Sequence, residues 1–307
     1  MSNKGIGILA AICTIVCWSL AYAAVKIAVR EYSPFEMTFI RLCAASISLG
    51  IISFVAKEPV PNKKDLVYFA ILGLIGHAMY SPILSFGLTR VPASTASFII
   101  ASAPIFMVLI GKFSSPERMT LFAKIGMAVS IFGVALVSLG RGGLKSLDWF
   151  ALFVLAAALC QAAYSMGQRP LLKRYSGLQV ITYSVFFATL FMTPWAASSW
   201  DKVMHGTPAP LLCTIYMGVI TTALGYWLWA LTVRKLPVAM AGAFLYAIPA
   251  LTIVVAWVFL HELPTVVSVV GGALILIGVG LVQQFGQTKP LATEEERLAK
   301  ANDQRLV

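Results

Sequence analysis

The feature that most constrains this chain is a series of long apolar runs that follow one another with short breaks. A membrane-crossing helix needs about 20 mostly apolar residues. Ten runs meet that length, at about 6–29, 36–55, 66–88, 94–112, 120–139, 149–168, 178–199, 211–232, 238–260 and 265–285. The breaks carry Pro, Lys, Arg, Asp and Asn, as in "KEPVPNKKD", "SSPER" and "SWDKVMHGTPAP". None is long enough to hold a soluble domain. Composition agrees: 11% of the 307 residues are charged, where a soluble protein carries about 25%. The first run, Ile6 to Val29, exceeds the roughly 7–15-residue apolar core of a signal peptide and reads as a retained span. The prediction is an all-α integral membrane protein of ten transmembrane helices with a polar tail over 286–307.

The net charge of +11 does not point to nucleic acid. The basic residues sit in the breaks, with no basic stripe and no binding module. Placing the N-terminus in the cytoplasm puts sixteen Lys and Arg on inner segments and six on outer ones. That bias predicts a multi-pass plasma (inner) membrane protein with both termini cytoplasmic. The five cysteines all fall within apolar runs without a C-x-x-C pair. They read as packing residues, and no metal, disulfide or cofactor is expected.

Shifted by 145 residues, the sequence matches itself. Pro92 meets Pro237, Pro104 meets Pro249, Glu117 meets Glu262, Gly126 meets Gly271 and Gly133 meets Gly278. Over Pro92–Val137 there are 11 identities in 46 positions without a gap. The same shift pairs Gly73 with Gly218, and a shift of 142 lays Tyr22 on Tyr164. The chain thus divides into residues 5–140 (spans 1–5) and 148–285 (spans 6–10). Five is odd, so the second copy starts on the opposite side of the membrane. Inverted repeats of this kind are a plan of secondary transporters, with the substrate site at mid-membrane between the halves.

These motifs resemble the drug/metabolite transporter superfamily, in its EamA-like branch. Trp18-Ser19, Lys26, Pro34 and Arg41 are spaced as in that family's opening spans. Each half closes with a mid-helix proline, a glutamate and a Gly-punctuated helix: Pro104–Glu117–Gly126–Gly133 and Pro249–Glu262–Gly271–Gly278. The resemblance implies a cavity surrounded by spans 1, 3, 4, 6, 8 and 9. It also implies a dimer contact at spans 5 and 10, and small-molecule substrates such as amino acids, drugs, sugars or other metabolites.

Polar groups in hydrocarbon are costly and face a bundle interior or a watery cavity. Near the span centres lie Trp18, Tyr22, His77, Tyr80, Ser102, Gln161, Tyr164, Tyr226 and Tyr246, the expected substrate-binding residues. Rings with a few hydrogen-bonding groups suit a small amphipathic ligand. A lone Ser or Thr in a span more often bonds its own helix's carbonyl. His77 is the leading candidate, as ligand contact, proton carrier or satisfied neighbour.

Lys26 and Arg41 lie toward the outer ends of their spans, where long basic side chains snorkel to the interface. Glu36 is near enough in sequence to pair with either, so Lys26, Glu36 and Arg41 are expected as a gating or bracing ion-pair set. Contact with a substrate anion is the alternative. Pro104 and Pro249 are expected as helix hinges beside the cavity.

An enzyme is disfavoured. No carboxylate cluster is present to hold a metal, and His261-Glu262 opens an H-E-x-x-H motif that fails at Thr265. Glu117 and Glu262 instead each precede a Gly-rich span, where an acidic group suits the helix N-terminus. His261 has no twin and reads as a surface residue. The expectation is an alternating-access carrier of amino acids or similar amphipathic solutes, drug efflux included. Carriage of organic anions, phosphorylated metabolites or nucleotide sugars is the runner-up, and a pore or scaffold the alternative class.

Overall fold

A computed structural model describes residues 3–114, 120–138, 149–236, 240 and 244–285. Among them all regular structure is helical. Helix α1 is Asn3–Ala28 and α2 is Pro34–Val55. Helices α3 (Leu66–Gly73) and α4 (Tyr80–Leu88) are joined through a widened π turn, Leu74–Met79. Next come α5 (Ala93–Ile100), α6 (Ala103–Ser114) and α7 (Leu121–Ser138). The second half runs through α8 (Trp149–Gly167), α9 (Arg169–Leu172), α10 (Gly177–Phe191) and α11 (Ala196–His205). Helices α12 (Pro208–Tyr216) and α13 (Gly225–Lys235) flank a second π turn, Met217–Leu224. Helices α14 (Ala247–Leu260) and α15 (Val266–Phe285) follow.

Six helical stretches are long and apolar enough to cross a membrane: Lys4–Ala28, Pro34–Val55, Lys63–Leu88, Ala93–Ile110, Trp149–Leu172 and Pro208–Lys235. A seventh forms if Gly177–Phe191 and Thr193–His205, bent by 52°, count as one crossing. The bend falls beside Pro194, which supplies no N–H to continue the helix. Lys124–Val137, Ala247–Leu260 and Val266–Val282 are apolar but shorter. The run expected over 238–260 is described as a full helix only from Ala247, after a turn at Tyr246. Pro249 therefore sits in a helix's first turn, where its missing N–H costs little. Pro104 follows the turn at Ala101–Ser102 in the same way. Both prolines sit in the first turn of a helix that follows a turn, rather than in the middle of one.

Several local devices occur twice. Helix α2 starts with a capping box: Glu36 N–H donates to Ser33 Oγ at 3.3 Å and Ser33 N–H to Glu36 Oε2 at 2.9 Å. Helix α10 starts the same way with Ser176 and Gln179, at 3.0 and 2.8 Å. Such reciprocal caps satisfy N–H groups that a helix start leaves unpaired. The π turns also correspond, each opening beside a glycine that admits a neighbouring backbone. A Cβ on Gly73 would strike the Ser184 carbonyl, and one on Gly218 the Arg41 carbonyl. Helix α10 thus packs against one π turn and α2 against the other, while α8 lies along α4 as α1 lies along α13.

Among the described residues, two of the seams between the halves pair helices that hold corresponding places. Across α2 and α10, the Ser46 and Thr189 hydroxyls share a hydrogen bond of 2.7 Å at a separation of 143 residues. Across α7 and α15, Ser130 Oγ donates to the Ile275 carbonyl at 2.9 Å, a separation of 145. A Cβ on Gly126 would lie 2.6 Å from the Gly278 carbonyl, and one on Gly133 2.6 Å from that of Gly271. These helices run antiparallel with their backbones in close approach, as small residues permit.

Candidate functional site

The π turns carry the polar centre. His77 lies within Leu74–Met79, and Tyr80 opens the helix that follows. The His77 ring meets Tyr164 edge-on at 5.1 Å and Tyr226 at 6.2 Å. Tyr226 in turn lies 5.6 Å from Trp18, whose indole N–H donates to the Thr221 carbonyl at 3.2 Å. Gly76 makes room for this arrangement, since a Cβ there would fall 2.5 Å from Tyr164 Cγ. His77 is 3% exposed, and its Nε2 has no hydrogen-bond partner among the described residues. Buried polar atoms are normally satisfied, so an exception needs an explanation.

Tyr22, Tyr80 and Tyr246 pack into a separate apolar cluster, with Tyr80 within electrostatic reach of Tyr226, and the buried Tyr246 hydroxyl also has no described partner. Tyr246 sits at the turn that starts α14. Beside it Ser19 of α1 donates to the Ile248 carbonyl at 3.2 Å. Gln161 is half-buried on α8, one turn before Tyr164. Ser102 is buried at the break before α6, with its hydroxyl donated to Ile99 O at 2.6 Å. That is the local bond expected of a lone serine in a span. Trp227 is exposed, whereas Trp229 packs its ring 5.7 Å from Trp18. The structure therefore joins Trp18, His77, Tyr164 and Tyr226 by ring contacts, groups Tyr22, Tyr80 and Tyr246 in a separate cluster, and leaves Ser102 bonded within its own chain segment.

The expected ion-pair set is rearranged. Glu36 is held in the capping box of α2, and Lys26 pairs instead with Glu262, from the second half. The other Glu262 oxygen accepts the Ala93 N–H at 3.1 Å. Glu262 thus caps α5, a helix from the first half, while Thr265 caps the helix that follows it by accepting Ser268 N–H at 3.2 Å. The cause is backbone geometry. His261 adopts the left-handed conformation, φ 53° and ψ 29°, and Glu262 N–H turns back to Ala256 O. Glu117, the twin in the first half, lies outside the described residues. His261 itself is exposed. A cavity of about 310 Å³ opens at this end, lined by Lys26, Arg30, Leu88, Thr89, Leu260 and Glu262.

Arg41 does not reach an interface. It is 9% exposed, and its Nε and Nη2 donate to Thr222 Oγ1 at 3.3 and 3.1 Å. The close approach at Gly218 sets Thr222, one turn further on, against Arg41. Sequence reasoning missed the contacts that tie loop to loop. Glu31 accepts the Thr207 hydroxyl and, at 2.8 Å, the Thr207 N–H. These bonds, with Lys202 nearby, hold the Glu31 carboxyl below its usual range. At another loop pair, Asp65 takes Arg174 at 2.9 Å and the Tyr175 hydroxyl at 2.6 Å. Single polar residues in breaks carry no signal of their partners.

Long apolar helices packed around a buried centre of rings define a multi-pass membrane protein. The chain belongs to the EamA-like transporter family, whose profile matches residues 5–139 and again 148–283. It is a transporter, not an enzyme. A probable terminal-alkyne amino-acid exporter of Streptantibioticus cattleyicolor is 34% identical over 94% of this chain and 97% of its own length. The uncharacterized transporter YdfC of Bacillus subtilis is 26% identical, over 85% and 86% respectively. A solved crystal structure of 19% identity superposes with a TM-score of 0.60, covering 95% of this chain and 99% of its own, which shows a shared fold.

Proposed function

We propose that this chain is a secondary carrier that moves amino acids or similar amphipathic solutes by alternating access between two inverted five-span repeats. The observation that carries the reading is the pairing across the seams. Ser46 bonds Thr189 and Ser130 bonds Ile275, and in each case the partners hold equivalent places in the two halves. Contacts between equivalent residues are what a two-fold relation between the halves produces, and an odd number of spans per half makes that relation inverted. The ten crossings include the shorter helices α7, α14 and α15. Support for the solute class comes from the ring-lined centre and from the amino-acid exporter among the relatives.

In this reading the Lys26–Glu262 pair latches the outer end, and the breaks before Pro104 and Pro249 let the helix halves re-aim. Both termini are cytoplasmic in a plasma membrane. Outward apolar residues of α7 and α15, among them Phe132 and Val270, are where a second copy would pack. The test is counterflow in liposomes preloaded with single amino acids. Transient, saturable accumulation of the labelled solute is expected. Non-saturating flux would mean a pore, and no uptake of any amino acid while an organic phosphate exchanges would replace the solute class.

A further inference from the structure

We propose that Arg41 binds the carboxylate of the transported solute, in the centre formed by His77, Tyr80, Tyr164 and Tyr226. This rests on the carrier reading above and names the group that the site recognises.

Start with charge. A guanidinium taken out of water at membrane depth is costly unless an anion meets it. Among the described residues Arg41 hydrogen-bonds the Thr222 hydroxyl and no carboxylate pairs with it. Every described carboxylate is engaged elsewhere, at a helix end. Glu31 holds Thr207, Glu36 caps α2 and Glu58 takes Ser176. Asp65 takes Arg174, Asp201 takes His205 and Glu262 takes Lys26.

The donor geometry agrees. Thr222 spends its hydroxyl proton on the Met217 carbonyl, five residues back, at 2.9 Å. That reach exists because the helix is widened there. The hydroxyl lone pairs then face Arg41 and take Nε and Nη2. Thr222 therefore fixes one edge of the planar guanidinium. The other edge, Nη1 with the second Nη2 hydrogen, keeps the parallel N–H pair that matches a carboxylate. Tyr80, Tyr226 and His77 all lie within electrostatic reach of the Arg41 charge. An independent observation marks the same centre: His77 Nε2, on a side chain 3% exposed, has no described partner. Leu42, Ala78 and Ala223, the chain neighbours of Arg41, His77 and Thr222, pack in one cluster with Tyr226, so a carboxylate on Arg41 has an unpartnered polar group in the same centre and rings for the rest of the solute. No described acidic group is there to hold an ammonium, so the carboxylate is the group on which recognition depends.

The experiment is a thermal-shift titration of the purified full chain. The probes are the twenty standard L-amino acids, L-propargylglycine and 3-phenylpropanoate. Each stabilising amino acid is repeated as its amide and its desamino acid. Expected are binding by acid and desamino acid, and loss of about tenfold or more in affinity for the amide. Arg41→Met should abolish the shift, Arg41→Lys should keep part of it, and unliganded Arg41→Met should melt at or above the wild type. If Arg41→Met fails to fold, the acid and amide series on wild type decides. Equal binding of acid and amide would overturn the assignment and leave the carrier reading intact. Binding by 3-phenylpropanoate and no amino acid would keep Arg41 and displace amino acids as substrates. No response to any acid would overturn both.

Discussion

Breaking the Lys26–Glu262 pair is the most informative perturbation outside the centre. The two side chains are 13% and 27% exposed, so the pair is only partly screened. Fully exposed pairs contribute about 0.2–1 kcal/mol, and charge-assisted bonds shielded from water about 1.5–3 kcal/mol. The partial burial places the Lys26–Glu262 coupling at about 1–2 kcal/mol, between those limits. Glu262→Gln isolates it, because the amide oxygen still accepts Ala93 N–H while the charge is lost. Glu262→Ala also uncaps α5, a further cost of about 1 kcal/mol. Lys26→Met keeps the length of the stem. The assay is a double-mutant cycle of Lys26→Met and Glu262→Gln on reversible unfolding in mixed detergent micelles. Transport by each variant is measured in parallel. Strict additivity, or Glu262→Ala no worse than Glu262→Gln, would refute the assigned roles of the two oxygens.

Other substitutions test the remaining geometry. Gly76→Ala puts a Cβ against Tyr164 and should displace that ring from His77, weakening solute affinity about tenfold or more, as read by the titration above, and lowering the melting transition by the equivalent of about 1–3 kcal/mol. Gly278→Ala drives a Cβ to 2.7 Å from the Ser130 nitrogen and should lower the melting transition by the equivalent of about 1–3 kcal/mol. His261→Gly relieves a left-handed backbone, a strain of about 1–2 kcal/mol, and should raise the melting temperature despite glycine's unfolded-state entropy. Thr207→Val removes the hydroxyl bond, the larger of the two Thr207 bonds that depress the Glu31 pKa, and keeps the Thr207 N–H bond. A depressed carboxyl stabilises the fold above its ordinary pKa and loses that contribution as pH falls through the folded value. The melting-temperature gap between wild type and Thr207→Val should therefore be largest at neutral pH and close below about pH 4.5.

The helical class and most long crossings were legible because apolar length is a one-dimensional property. The rings of the centre were legible too, since polar and aromatic residues far from any break have few places to go. What sequence reading mistook were partners. Glu36 lies near Lys26 in the chain, yet Ser33 takes Glu36 into a cap and His261 turns Glu262 toward Lys26. Arg41 reads as a snorkelling residue until Gly218 brings a second backbone against it. Pro249 reads as a mid-helix kink until the turn at Tyr246 makes it a helix start. The Lys26 and Arg41 corrections depend on contacts between segments more than a hundred residues apart and on the left-handed angle at His261, whereas the Glu36 cap and the Tyr246 turn are local hydrogen-bonding and backbone events. None of these is encoded in hydropathy.

The seam contacts bear on how such a chain could have arisen. In the proposed two-repeat arrangement, Ser46 and Thr189 descend from one ancestral position, as do Ser130 and Ile275. In a five-span ancestor that paired with an oppositely inserted copy of itself, each of those positions would have touched its own counterpart. A mutation there would have altered both sides of a contact at once and would have had to suit itself. Fusion of two such copies into one chain would remove that restriction. A serine now faces a threonine on one seam, and on the other a serine hydroxyl meets the backbone of an isoleucine.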